Sequence, residues 1–215
     1  MTKFVLVRHG ESRVTVDRVI GGPRSCIGLS DLGRRQAERL RDRWAGHVDF
    51  SPDAVYSSAY PRAIETARIV LPAFGHDELL IDESLGEQDP GPACDGLSYS
   101  QFEETHGDPD WENDPDVTFP GGETIAEFQL RIGTAVRNLV EKHPASTVVV
   151  FCHGGVIDTV LRQSLRTFGT GGFEIHTRNT SITEVELVRS GRWQLIRYND
   201  VAHLAGLPAS TNPTH

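Results

Sequence analysis

The sequence predicts an α/β fold: a three-layer sandwich in which a mainly parallel sheet carries helices on both faces. Three observations predict it. Phe4-Val5-Leu6-Val7 and Thr147 to Phe151 are short, continuous apolar runs, the pattern of strands buried on both faces. Stretches with apolar residues at helical spacing follow such runs along the chain, and strands alternating with helices build parallel sheets. Both apolar runs end in a histidine beside glycine, Arg8-His9-Gly10 and Cys152-His153-Gly154-Gly155, as strands running into loops.

The elements follow in order. After the first strand, Asp31 to Trp44 places Leu32, Ala37, Leu40 and Trp44 on one helical face and arginines on the other, with Ser30 and Asp31 as caps and Gly46 as the stop. Asp53 to Ser57 reads as a short strand. Pro61 then opens a helix whose stripe is Ile64, Ala67, Val70 and Leu71. Residues 82–120 are rich in Asp, Glu, Gly and Pro, and Tyr99 and Phe102 suggest one short helix at most. A long irregular segment of this kind is a functional loop or a solvated excursion. After Gly121-Gly122 a helix runs to about Lys142 on the stripe Ile125, Phe128, Ile132, Ala135, Val136 and Leu139. The Thr147–Phe151 strand leads into helix signals from Val156 to Leu165. Ser181 to Val188 and Arg192 to Tyr198 flank Ser190-Gly191 as a late hairpin.

At 215 residues the chain reads as one domain over 1–205, with a lid-like insertion at about 82–120 and a tail at 206–215. A net charge of −9 argues against nucleic acid or an anionic membrane as partner. No apolar stretch approaches the ~20 residues of a membrane helix. The N-terminus turns polar too quickly for a secretory signal, so a cytoplasmic location is expected. Cys26, Cys94 and Cys152 match no zinc or redox spacing.

The chemistry-bearing residues sit at strand ends, where open α/β sheets bind ligands. If the two strands are neighbours, His9 and His153 face one crevice, and the flanking glycines let a ligand approach the backbone. Arg62, in the first turn of the helix opened by Pro61, would add a bidentate grip on phosphate where backbone amides already favour an anion. His143, near a helix end, reads as a dipole-compatible terminal residue.

With those residues in place, Leu6-Val7-Arg8-His9-Gly10-Glu11-Ser12 resembles the signature of the histidine phosphatase superfamily, the phosphoglycerate mutase-like proteins. The resemblance implies a mainly parallel sheet between helices, His9 as phosphate-accepting nucleophile and Arg8 as a phosphoryl ligand. Ser58 to Ala67 is similar to the family's second-arginine segment, which implies Arg62 in the phosphate pocket. Phe151 to Gly155 resembles the segment of the second catalytic histidine, His153. Pro120-Gly121-Gly122-Glu123-Thr124 is similar to a run of the phosphatase branch. Relatives carry their general acid after a leucine and ahead of a glycine-containing turn. Leu85-Gly86-Glu87-Gln88-Asp89-Pro90-Gly91 fits with Glu87, leaving Glu83 and Asp89 as alternatives. Two departures bear on substrate: Ala93-Cys94-Asp95-Gly96 replaces a tryptophan-acid-glycine run, and Thr15 stands where Asn is common.

The expected reaction is hydrolysis of a small-molecule phosphomonoester through a phosphohistidine on His9. Arg8 and Arg62 hold that histidine neutral and neutralise the phosphoryl oxygens. Glu87 is expected as acid and then base, and His153 as a hydrogen-bond donor. Ser58, Thr15, Arg13, Arg24 and Gly154 are further candidate substrate contacts. No metal and no cofactor are expected, since the histidines show no ligand spacing. Mutase-type phosphoryl transfer and a silent phosphate-binding regulator are the alternatives. Gly155-Val156-Ile157-Asp158, in place of the mutase pattern after the second His-Gly, favours the phosphatase. Glu103, Glu104, Asp108, Asp110, Glu112, Asp114 and Asp116, with no intervening Lys or Arg, would repel polyanionic substrates if they faced the site, or simply face water. A homo-oligomer is left open.

Overall fold

Successive side chains of a strand point to opposite faces, and that alternation divides the two apolar runs between two cores. Strand β1 (Thr2–Arg8) sends Phe4 and Leu6 one way and Val5 and Val7 the other. Strand β4 (Thr147–Cys152) likewise splits Val148 and Val150 from Val149 and Phe151. All eight side chains are buried, each worth about 1.5–3 kcal/mol of transfer free energy. The computed structural model describes residues 1–46, 50–75, 77–107, 118–167, 173–189 and 191–210.

With β2 (Ala54–Ser57), β3 (Leu80–Ile81), β5 (Ile182–Arg189) and β6 (Arg192–Asp200), the sheet has the order β3-β2-β4-β1-β5-β6. The first four strands are parallel, and the β5–β6 hairpin adds an antiparallel edge. Helices α2 (Asp31–Gly46) and α3 (Pro61–Val70) cover the Val5 and Val7 face; α6 (Ile125–Lys142) and α7 (Gly154–Leu165) cover the Phe4 and Leu6 face. This is the expected three-layer α/β sandwich. Because β1 pairs directly with β4, Arg8 opposite Cys152, the next residues His9 and His153 leave neighbouring strands at one level.

Several local expectations change. The buried face of α3 is Ala63, Thr66, Ala67 and Val70 plus Arg62, while Ile64 is half-buried. Ala67, Val70 and, just past the helix, Leu71 are buried as expected, and Arg62 turns inward to reach the His9 ring. Segment 82–107 holds a 3-10 turn at Glu83–Leu85, a single helical turn, α4 (Gly91–Cys94), and one helix, α5 (Tyr99–His106), closed by a Ser98–Gln101 capping box. It is no solvated excursion: Cys94 and Phe102 join Ile20 in a small core against Leu97, Tyr99 and Phe119. Glu103 and Glu104 are exposed on α5; Asp108, Asp110, Glu112, Asp114 and Asp116 lie outside the described residues. The tail is not wholly a tail. Gln36 Nε2 donates to Ser210 Oγ at 2.8 Å, which brings the chain end back onto α2; residues 211–215 lie outside the described residues. His143 caps α6, but its ring hydrogen-bonds Tyr56 at 2.9 Å, and burial with Lys142 beside it lowers its pKa, so the helix dipole does not govern it.

Candidate active site

The loop leaving β1 is fixed before any ligand arrives. Its helical turn α1 (Arg13–Val16) is capped by Ser12. Gly10 N–H donates to Thr66 Oγ1 at 3.0 Å and Glu11 N–H to Gln36 Oε1 at 2.9 Å. The buried Glu11 carboxylate accepts from Ser30 Oγ at 2.7 Å, and Ser30 also caps α2 by accepting from Gly33 N–H. A Cβ on Gly33 would strike the Glu11 carbonyl, so this glycine lets helix and loop touch backbone to backbone. Gly10 faces that contact, not the crevice.

His9 is 6% exposed. Its Nδ1 lies 2.6 Å from Gly10 O, and Arg62 Nε donates to its Nε2 at 3.1 Å. A carbonyl only accepts, so Nδ1 carries the proton and Nε2 the lone pair. Burial first, then Arg62 and Arg8, holds His9 well below the ordinary histidine range, against the Gly10 bond. Arg62 is buried at the start of α3, stacks on Tyr60 at 4.5 Å and donates to Gly21 O at 3.0 Å. Arg8 donates to Thr177 O. Its Nε is buried with no partner among the described residues.

His153 is completely buried and caps α7. Its ring meets His9 at 5.1 Å between centroids and Tyr60 at 4.9 Å, both edge-on. Ser58 Oγ lies 2.7 Å from Nε2, and Nδ1 has no partner among the described residues. Burial, then Arg62, His9 and Arg8, lowers its pKa well below the ordinary value. Ser58 therefore stands behind His153, not on the cavity surface.

Glu87 closes the fourth side. Its Oε2 accepts from Gly155 N–H at 3.0 Å and its Oε1 from Gln88 N–H at 3.2 Å. A Cβ on Gly155 would collide with this carboxylate, so the second glycine after His153 makes room for Glu87. Of the alternative acids, Asp89 turns back to Gly91 N–H, and neither Glu83 nor Asp89 lines the cavity.

His153 is completely buried and is not in the lining, while Arg8, His9, Arg62 and Glu87 floor a cavity of about 630 Å³. Gly154 also lines it, as does Thr15, whose hydroxyl is 2.8 Å from Ser12 Oγ. Arg13 and Arg24 do not. Arg13 is exposed, turned outward by the helical turn that buries Val14; Arg24 pairs with Asp95 and Pro92 O. Sequence reasoning missed the other walls: Tyr99 and Phe119 on one side, 174–179 on the other, and Ala209 and Ser210 at the mouth. It also missed Asp95, which accepts from the amides of Gly22, Arg24 and Ser25 and holds the loop carrying Gly21. Burial alone would raise the Asp95 carboxyl, but these donors and Ser25 Oγ bring it below the usual range. Among the described residues no cluster of three metal-ligating side chains occurs, and no helix is long and apolar enough to cross a membrane.

Residues 4–201 match the family model described as histidine phosphatase superfamily (branch 1). The chain belongs to the histidine phosphatase superfamily. It is 33% identical over 206 residues to phosphoglycerate mutase-like protein 4 of Arabidopsis thaliana, covering 94% of this chain and 86% of that protein. Among solved structures, Bacillus stearothermophilus YhfR superposes with a TM-score of 0.81 at 30% identity, covering 95% of this chain and all (100%) of that one. A phosphoserine phosphatase from Entamoeba histolytica, a variant in complex with phosphoserine, superposes at 0.76 with 27% identity, covering 95% and 100%. This member of the superfamily is a phosphoric monoester hydrolase.

Proposed function

We propose that the protein hydrolyses a small phosphomonoester through a covalent phosphohistidine on His9, with Glu87 as acid and then base. The observation that carries the reading is the pairing of a lone pair, engaged only by the Arg62 N–H, with two unpartnered buried donors beside it. His9 Nε2 carries the lone pair, while Arg8 Nε and His153 Nδ1 are buried and without partners among the described residues. A buried donor left unsatisfied costs about 1–3 kcal/mol, a cost that a bound phosphoryl group would remove.

In the first step His9 Nε2 attacks phosphorus and the bond to the leaving oxygen breaks, Glu87 supplying its carboxyl proton to that oxygen. The phosphoryl oxygens take over the Arg62 N–H that rests on Nε2, and draw on Arg8 and the His153 Nδ1–H. Ser58 Oγ, which accepts from Tyr60 N–H at 3.3 Å, gives its own proton to His153 Nε2 and so keeps the His153 proton on Nδ1. In the second step Glu87, now a carboxylate, takes a proton from water as the water oxygen attacks phosphorus. The N–P bond returns its electrons to Nε2, and phosphate leaves.

Quenching the enzyme during turnover of a ³²P-labelled monoester tests this. Label that is stable in base, lost in acid, and absent from His9→Ala supports the reading. Turnover with no such label, or label that persists in His9→Ala, overturns it. Return of label to a second hydroxyl of the substrate, not to phosphate, would make the enzyme a mutase.

A further inference from the structure

Glu87 leaves a segment with little regular structure, yet its backbone is held on every side by one pair of residues. Arg131, on α6, does not line the active-site cavity. Its guanidinium reaches across to the carbonyls of Ser84 at 2.9 Å, Gly86 at 3.0 Å and Glu87 at 3.2 Å. The remaining N–H groups grip Glu123 at 2.8 and 2.6 Å as a bidentate ion pair. All five guanidinium donors are therefore used. Glu123 stitches the next residues: its N–H donates to Asp89 O at 2.8 Å, its carbonyl accepts from Gln88 Nε2 at 2.8 Å, and its carboxylate accepts from Asp89 N–H at 3.3 Å.

We infer that Arg131, held by Glu123, is the positioning residue that sets the Glu87 carboxylate at protonating distance from the leaving group. The inference rests on Glu87 being the acid. Arg131 fixes the Glu87 backbone from the α6 side, and Gly155 N–H fixes its carboxylate from the α7 side. Between these two points the Glu87 side chain lines the cavity. Three carbonyls and a carboxylate disposed around one plane suit the rigid fork of arginine, and the point charge of lysine cannot span them. The Gly121-Gly122-Glu123 run thereby gains a physical role, since it brings the anchor for that fork to the start of α6.

The test compares kcat/KM for an alkyl phosphate, whose leaving oxygen needs a proton, with that for 4-nitrophenyl phosphate, whose leaving group departs unprotonated. Inhibition by inorganic phosphate is followed in parallel. Arg131→Ala should lose about 10- to 100-fold on the alkyl ester and far less on the nitrophenyl ester, as expected of a misplaced catalytic group. Phosphate inhibition should hold within about twofold, because the anion site is built elsewhere. Arg131→Lys and Glu123→Gln should fall between, and they carry the same comparison if Arg131→Ala does not fold. Adding Arg131→Ala to Glu87→Gln should cost nothing further on the alkyl ester. Equal losses on both esters, weakened phosphate inhibition, or additive losses in the double variant would overturn the inference. A Glu87→Gln variant with no leaving-group dependence would instead remove the acid assignment, and the inference with it.

Discussion

His9 and His153 begin as equals and are made unlike by a single neighbour each. Both leave the carboxyl ends of adjacent parallel strands, both are buried, and both are held neutral by burial and the same two arginines. The carbonyl of Gly10 takes the Nδ1 proton of His9 and leaves Nε2 as a lone pair. Ser58 engages Nε2 of His153 and leaves its Nδ1 without a partner among the described residues. In the proposed reaction, tautomer choice, set by one hydrogen bond, makes one imidazole the nucleophile and its twin a donor.

Removing each ring should break the symmetry in turn. His9→Ala should lose roughly a thousandfold or more in kcat, because it removes the proposed phosphoryl acceptor. His153→Ala should cost about 10²- to 10³-fold in kcat, the range for a lost transition-state donor, while still forming the labelled intermediate on His9. Single-turnover kinetics with labelled substrate reads both. A His153→Ala variant as inactive as His9→Ala, with no label, would mean that the roles are shared and not divided.

Ser58 tests the tautomer argument at smaller scale. Ser58→Ala leaves every cavity contact in place but frees the His153 proton to sit on either nitrogen, so kcat should fall roughly tenfold, as when an orienting partner is lost. KM for substrate should move little. A loss as large as that of His153→Ala would instead show Ser58 to be needed for folding the site.

The shared feature of the two rings has its own consequence. A histidine whose folded pKa is depressed contributes full stability above its unfolded value of about 6.5. That contribution drains away as pH falls from there toward the folded value, at about 1.4 kcal/mol per pH unit for each such ring. His203, held down to about 4 chiefly by burial and then by Arg43, adds to the same window. Urea unfolding at pH 7 and pH 5 should show the loss, and His153→Asn should flatten it. An unchanged pH dependence in that variant would contradict the depressed His153 pKa.

The sandwich, the strand-end histidines and Arg62 were legible in the sequence because each depends on near neighbours: an apolar run, a glycine, a proline opening a helix. Glu87 was legible only among alternatives, since a carboxylate in an irregular segment gives no periodic signal. What favours it over Glu83 and Asp89 is a long-range fit to Gly155 and Arg131, 68 and 44 residues away. Ser58 was found as a residue but misplaced, because proximity in sequence to Arg62 does not say whether a side chain stands before or behind a ring. The walls from 174–179 and Ser210 gave no sign at all. They reach the cavity by folding of the chain's last third back over β1, as when Asn179 Nδ2 donates to His9 O at 3.0 Å.

The smallest predicted effect separates the floor from its surroundings. Arg13 lies four residues from His9 in sequence and carries the charge a phosphate would want. The turn Arg13–Val16 nonetheless spends its buried position on Val14, and Thr15 takes the place beside the cavity. Arg13→Ala should therefore change kcat/KM by no more than about twofold, as for an exposed residue outside a site. Arg62 is 53 residues from His9 in sequence yet donates directly to its ring, and Arg62→Ala should lose orders of magnitude. Should Arg13→Ala instead raise KM strongly, α1 must rearrange when substrate binds, and the preformed floor would extend to a wall that forms only with the ligand in place.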